Sequence, residues 1–60
     1  MELSNREAEI IMFIAGGFVD KEIGKLLNIS DRTVQTHVSR IFLKLKAHNR
    51  PNAVAIYLKS

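Results

Sequence analysis

Residues 30–45 read SDRTVQTHVSRIFLKL, and one side of that stretch carries Arg32, Gln35, Thr36, Ser39 and Arg40. Guanidinium, amide and hydroxyl groups can hydrogen-bond to phosphates and to the edges of bases, and no acid lies among these five to repel a polyanion. Gln35 can pair bidentately with adenine, Thr36 can set its methyl against that of thymine, and Ser39 can donate or accept. A good bidentate contact discriminates between bases by roughly 1–3 kcal/mol. The chemistry on offer is recognition of a nucleic acid. The same side chains could also be plain solvated helix residues, so what surrounds them decides.

The charge around them is divided. The formal net charge is +3, yet residues 1–31 hold six acids against three bases, whereas residues 32–60 hold six bases and no acid. Such asymmetry suggests one face made for a polyanion, against the plainer alternative of an ordinary cationic surface. Lys21, Arg32, Arg40 and Lys44, with Arg50 as a further candidate, are placed to displace counterions from phosphates. That gives affinity without sequence preference and a steep dependence on salt. The N-terminus of a helix starting here would add its dipole and free amides, with the Thr33 hydroxyl beside them. Lys44 and Lys46 also suit a helix C-terminus without any DNA. His37 can pack partly against a neighbouring helix and offer a hydrogen bond to backbone or phosphate.

Positioning these groups requires a helix with a buried side. Val34, Val38, Ile41 and Leu45 step by three and four, so the stretch predicts a helix over residues 31–46, capped by Ser30. Upstream, Ser4 and Glu7 form a capping-box pattern for a helix over about 5–15, apolar nearly all round and ended by Gly16-Gly17. Phe18 and Val19 are expected to fold back over the core, and Asp20 to cap a helix over 21–27 whose inner face is Ile23, Leu26 and Leu27. Gly24 within it costs about 1 kcal/mol of helix propensity, which makes sense if another helix crosses closely there. Asn28-Ile29-Ser30 is a short joint of helix-turn-helix type. Asn49 can cap a fourth helix over 50–59 with Pro51 in its first turn. Ala53, Val54, Ile56, Tyr57 and Leu58 give that helix more apolar surface than one inner stripe needs. The expectation is an all-α fold, one four-helix domain spanning residues 1–60 and containing a helix-turn-helix.

Other functions find little support. Without cysteine there is no disulfide or thiolate metal site, and His37 with only His48 eleven positions away makes a poor metal pair. No glycine-rich phosphate loop or catalytic constellation appears, so no enzyme activity and no cofactor are expected. The longest uncharged run, residues 10–19, is too short to span a bilayer, and the acidic start at Met1-Glu2 does not fit a secretory signal, which leaves the cytoplasm as the expected compartment. RNA binding is disfavoured because Phe13, Phe18, Phe42 and Tyr57 read as largely internal. The rival is a helical protein-interaction module with an acidic partner.

With the joint and both flanking helices in view, the chain resembles the LuxR-type (GerE-type) helix-turn-helix domain of bacterial transcription regulators. The matching residues are Leu3-Ser4-x-Arg6-Glu7, Lys21-Glu22-Ile23-Gly24-x-x-Leu27-x-Ile29-Ser30, Thr33-Val34-x-x-His37-Val38-x-x-Ile41-x-x-Lys44-Leu45 and Asn49-Arg50-x-x-Ala53-Val54. The resemblance implies sequence-specific binding of double-stranded DNA, with helix 2 supporting and helix 3 in the major groove. It implies base contacts from Gln35, Thr36 and Ser39, and phosphate contacts from Lys21, Thr33, Arg40 and Lys44, to which the residue chemistry adds Arg32 and His37. Helix 4 would form a homodimer contact, here through Val54, Tyr57 and Leu58, so that two copies meet two half-sites. Such domains usually form the output end of a longer regulator. Four positions depart from the pattern: Gly24 where alanine is usual, Lys46 where glycine often ends helix 3, neutral Gln35 and Ser39 where many relatives carry lysine or arginine, and an apolar Leu43 on a turn usually polar.

Overall fold

The computed structural model describes residues 3–59; Met1-Glu2, whose acidity was weighed against a secretory signal, lies outside them. Four helices make up the ordered elements, α1 Asn5–Ala15, α2 Asp20–Leu27, α3 Asp31–Leu45 and α4 Arg50–Lys59, with no strand among the described residues. The fold is the expected all-α arrangement. α3 is its axis, since Val34, Val38, Ile41 and Leu45 form half of the buried apolar core, which Ile10 and Ile11 of α1, Ile23 of α2 and Ala53 of α4 complete. α1, α2 and α4 all pack against α3, and α1 also packs against α4. In a chain this small, the stripe on α3 is what each neighbour can bury against.

Three of the helix starts are made by side chains, as the local sequence indicates. The Glu7 amide donates to Ser4 Oγ at 3.1 Å while the Ser4 amide donates to Glu7 Oε1 at 2.9 Å, which is a complete capping box. At α3 the Thr33 amide donates to Ser30 Oγ at 3.1 Å. At α4 the backbone Asn52 amide donates to Asn49 Oδ1 at 2.8 Å, and the backbone His48 amide donates to Asn52 Oδ1 at 2.9 Å.

The fourth start differs from expectation. Asp20 is not the cap of α2 but its first residue, and the extended residue before it is Val19, which has no side-chain acceptor to offer. Only the return half of a box is present, the Val19 amide donating to Glu22 Oε1 at 2.9 Å. Asp20 faces elsewhere: its Oδ1 lies 2.7 Å from Arg50 Nη2, joining the start of α2 to the start of α4. Val19 stays exposed, while Phe18 does fold back, its ring meeting Phe13 edge-on at 5.3 Å with about two-fifths of its surface in solvent. Leu26 is also exposed, not part of the inner face of α2. Gly24 takes that inward place.

All three interhelix connections begin in the same way. Gly17, Asn28 and Lys46 adopt positive φ of 90°, 58° and 55°. The following amide then reaches back five residues: Phe18 to the Phe13 carbonyl at 3.1 Å, Ile29 to Gly24 at 2.9 Å, and Ala47 to Phe42 at 3.0 Å. This is the six-to-one closure of a Schellman motif, which satisfies carbonyls left open at a helix end. Lys46 ends α3 where glycine would do so without steric cost, at the expense of holding an L side chain in the left-handed region.

Gly24 has a different reason from the one its composition suggested. A Cβ built there would lie 2.7 Å from the Ile29 carbonyl oxygen and 3.5 Å from Asp31 Oδ1. What approaches is the returning turn and the first residue of α3, not the flank of a crossing helix. The missing side chain therefore lets the joint close tightly, which sets how α3 is offered to solvent.

Candidate nucleic-acid interface

At about 100° per residue, the side of α3 opposite its buried stripe comprises Arg32, Thr36, Ser39, Arg40 and Leu43, with Gln35 at its margin. Gln35, Thr36 and Ser39 are all exposed, as are Arg32, Thr33 and Arg40. Lys21 is exposed in the first turn of α2. The structure thus leaves the three candidate base-reading side chains in solvent on one helix, with cations on the same helix and its neighbour.

Local bonds narrow what some of these groups can do. Thr36 Oγ1 donates to the Arg32 carbonyl at 3.1 Å, so its hydroxyl hydrogen is used within the helix and it keeps lone pairs and a methyl to present. The Ser30 and Thr33 hydroxyls share a hydrogen bond of 2.9 Å. Of the first four amides of α3, Thr33 is satisfied by Ser30 Oγ and Val34 by the Ser30 carbonyl, which leaves Asp31 and Arg32 at the open end. Asp31 is the only acid on α3 and sits at that end, where it suits the helix dipole but opposes an incoming phosphate.

His37 is half-buried, and its Nδ1 is enclosed without a hydrogen-bond partner among the described residues. The remaining imidazole nitrogen is the one through which it could reach a phosphate.

Two ion pairs were invisible in the sequence, because their partners lie far apart in it. Lys44 Nζ lies 2.7 Å from Glu7 Oε1, an oxygen that also accepts the Ser4 amide. Glu7 is 3% exposed, and its carboxyl is held below its ordinary pKa by the hydrogen bond from Lys44 and then by that from Ser4, against the opposing effect of burial. Lys44 is therefore partly committed to the fold, although an ammonium has three hydrogens to give. Arg50 is likewise drawn to Asp20. No spacing rule would have found either pair.

The α4 candidates divide. Val54 and Tyr57 are half-buried against the core, whereas Leu58 is 64% exposed. An open apolar groove of about 630 Å³ between α1 and α4 is lined by Asn5, Ala8, Glu9, Met12, Phe13 and Tyr57. Among the described residues no three His, Cys, Asp or Glu side chains gather as a metal site would require, and no helix is long and apolar enough to cross a membrane.

Comparison with known proteins follows the same lines. Response regulator protein VraR of Staphylococcus aureus is 44% identical to this chain over 52 residues, covering 87% of the chain and 25% of the relative. The proteins of that name from Staphylococcus saprophyticus and Staphylococcus epidermidis match with the same identity and coverage. The chain spans about a quarter of the length of these relatives. Residues 1–57 match the family described as bacterial regulatory proteins, luxR family, which is a family of regulators and not of enzymes. With its helix-turn-helix intact and nearly its whole length matched, the chain belongs to the LuxR family of bacterial regulatory proteins.

Proposed function

We propose that the chain is a single DNA-binding domain, residues 1–60, of a cytoplasmic transcription regulator, and that it reads duplex DNA by laying α3 in the major groove. The observation that carries this is the exposed side of α3, where Thr36 and Ser39 stand in solvent behind a buried stripe and Gln35 stands in solvent at the margin of the same face. The core holds the helix rigid while its outer side is free to meet base edges. Gln35 pairs with adenine, Thr36 offers its methyl to thymine, and Ser39 donates or accepts. Lys21, Arg32 and Arg40 lie along phosphates, with Thr33, His37 and the spare hydrogens of Lys44 in support.

The relatives are named response regulators, and the match covers 25% of their length. Their naming supports a role for this chain as the output module of a longer protein that responds to a signal. Two copies would meet through Val54, Tyr57 and Leu58 of α4 on two half-sites. The exposed Leu58 and the apolar groove beside Tyr57 support that pairing.

Fluorescence anisotropy on random and selected duplexes, each at two salt concentrations, tests the reading. The expected result is binding to both that weakens steeply as salt rises, with tighter binding to the selected sequence. Binding that is absent at high protein concentration, or indifferent to salt, would overturn it.

A further inference from the structure

Leu43 is the most exposed of the large apolar side chains among the described residues, at 79%, and neither the core nor the contacts proposed above use it. It follows Thr36 by seven positions, about 20° short of two full turns, so the two project from α3 in nearly the same direction. Along the axis they are separated by about 10 Å, far enough for the two side chains to face different base pairs when the helix lies in a groove. Leu43 therefore stands on the side of α3 that carries Arg32, Thr36 and Ser39, not on a side turned toward another helix. Arg40 stands one turn before it on that surface, Lys44 follows it in the chain, and Lys46 lies at the end of the helix.

An exposed apolar side chain on a helix surface that also carries basic residues suits a ligand that is anionic overall yet offers an apolar point at that place. Duplex DNA has such a point in the major groove, the C5 methyl of thymine. We propose that Leu43 is a further specificity-determining residue, which selects thymine by contact with its methyl at a base pair beyond the one read by Thr36. The proposal rests on the reading of α3 as the element in the major groove. Gln35, Thr36 and Ser39 then supply the polar and near contacts, and Leu43 extends the recognised sequence along the groove without adding a hydrogen bond.

The test combines two measurements on the intact chain. Sequences bound from a random duplex pool are compared for the unaltered chain, Leu43→Ala and Gln35→Ala. The preferred duplex is then remade with deoxyuridine in place of thymine at the outlying position, which removes only the methyl. The expected result is a thymine preference that Leu43→Ala abolishes and Gln35→Ala leaves in place. The uracil duplex should bind the unaltered chain about three- to fivefold more weakly, as loss of one buried methyl implies, and Leu43→Ala equally well with either base. An unchanged preference in Leu43→Ala, or the same uracil penalty in both proteins, overturns the role of Leu43. If Gln35→Ala still relaxes another position, the reading of α3 survives that outcome. If the unaltered chain prefers no sequence at all, both fall.

Discussion

The Lys44 ammonium lies 2.7 Å from the Glu7 carboxylate, and thirty-seven positions of chain separate the two. One oxygen of Glu7 thereby closes the cap of α1 and anchors the C-terminal half of α3, so the first turn of the fold and the candidate interface share a single group.

This linkage gives the domain a defined acid response. Because the carboxyl of Glu7 is held below its ordinary pKa in the folded state, its contribution is fully present above the unfolded value of about 4.3 and is lost as pH falls through the lower folded value. Unfolding midpoints measured from pH 7 to pH 2 should fall steeply below about pH 4. Glu7→Gln should cost about 1–3 kcal/mol at neutral pH and flatten that acid limb, since the variant has no proton to take up there. An unaltered limb in Glu7→Gln would place the acid sensitivity in another group.

The start of α2 is under-capped and can be improved. Val19→Ser supplies the missing acceptor for the amide of Glu22, opposite the bond that Glu22 already makes. The expected gain is about 1 kcal/mol, or a rise in melting temperature of about 4–8 °C for a domain of this size. A thermal melt that does not move would mean that the first turn of α2 is held by its packing alone.

At the end of α3 the cost is one of backbone conformation. Lys46→Gly should raise the denaturant midpoint by an amount corresponding to about 0.5–1 kcal/mol, because Lys46 holds a positive φ that glycine adopts freely. Asn28→Gly should gain less, since asparagine tolerates that region better. Equal gains at both sites would point to a general loosening of the helix ends.

Base reading and charge should separate in binding measurements. Gln35→Ala is expected to relax preference at one base position, whereas Arg40→Ala should weaken all duplexes alike and lower the magnitude of the salt slope by about 1. Arg40 is the better probe than Lys44, whose removal would also leave Glu7 buried without its ion partner. Uniform loss from both changes would erase the division of roles.

Much of this was legible in the residues because it is local. The caps at Ser4, Ser30 and Asn49 and the stripe of α3 depend on neighbours within a few positions, and exposure of Gln35, Thr36 and Ser39 follows from lying off that stripe. What escaped depends on distance in the chain. Asp20 reads as a cap until Arg50, thirty positions later, is seen to hold it. Leu26 reads as core because an eight-residue helix leaves its rotation open, and the spacing from Ile23 fits either choice. The tight return of the Ile29 carbonyl onto Gly24 settles that rotation and turns Leu26 outward. Lys46 was visible as a departure where glycine often stands, but its positive φ was not, since propensity alone does not reveal when surrounding structure enforces an unfavoured backbone.

The side-chain hydrogen bond of Thr36 stays inside its own helix, and Gln35 and Ser39 are exposed. Exchanging these three residues should shift stability by no more than about 0.5 kcal/mol, the usual margin at surface positions. Descendants of one ancestral scaffold could thus acquire new preferred sites step by step without compensating repairs inside. Recognition would evolve at the rate of surface substitutions, while the interior stayed as it was.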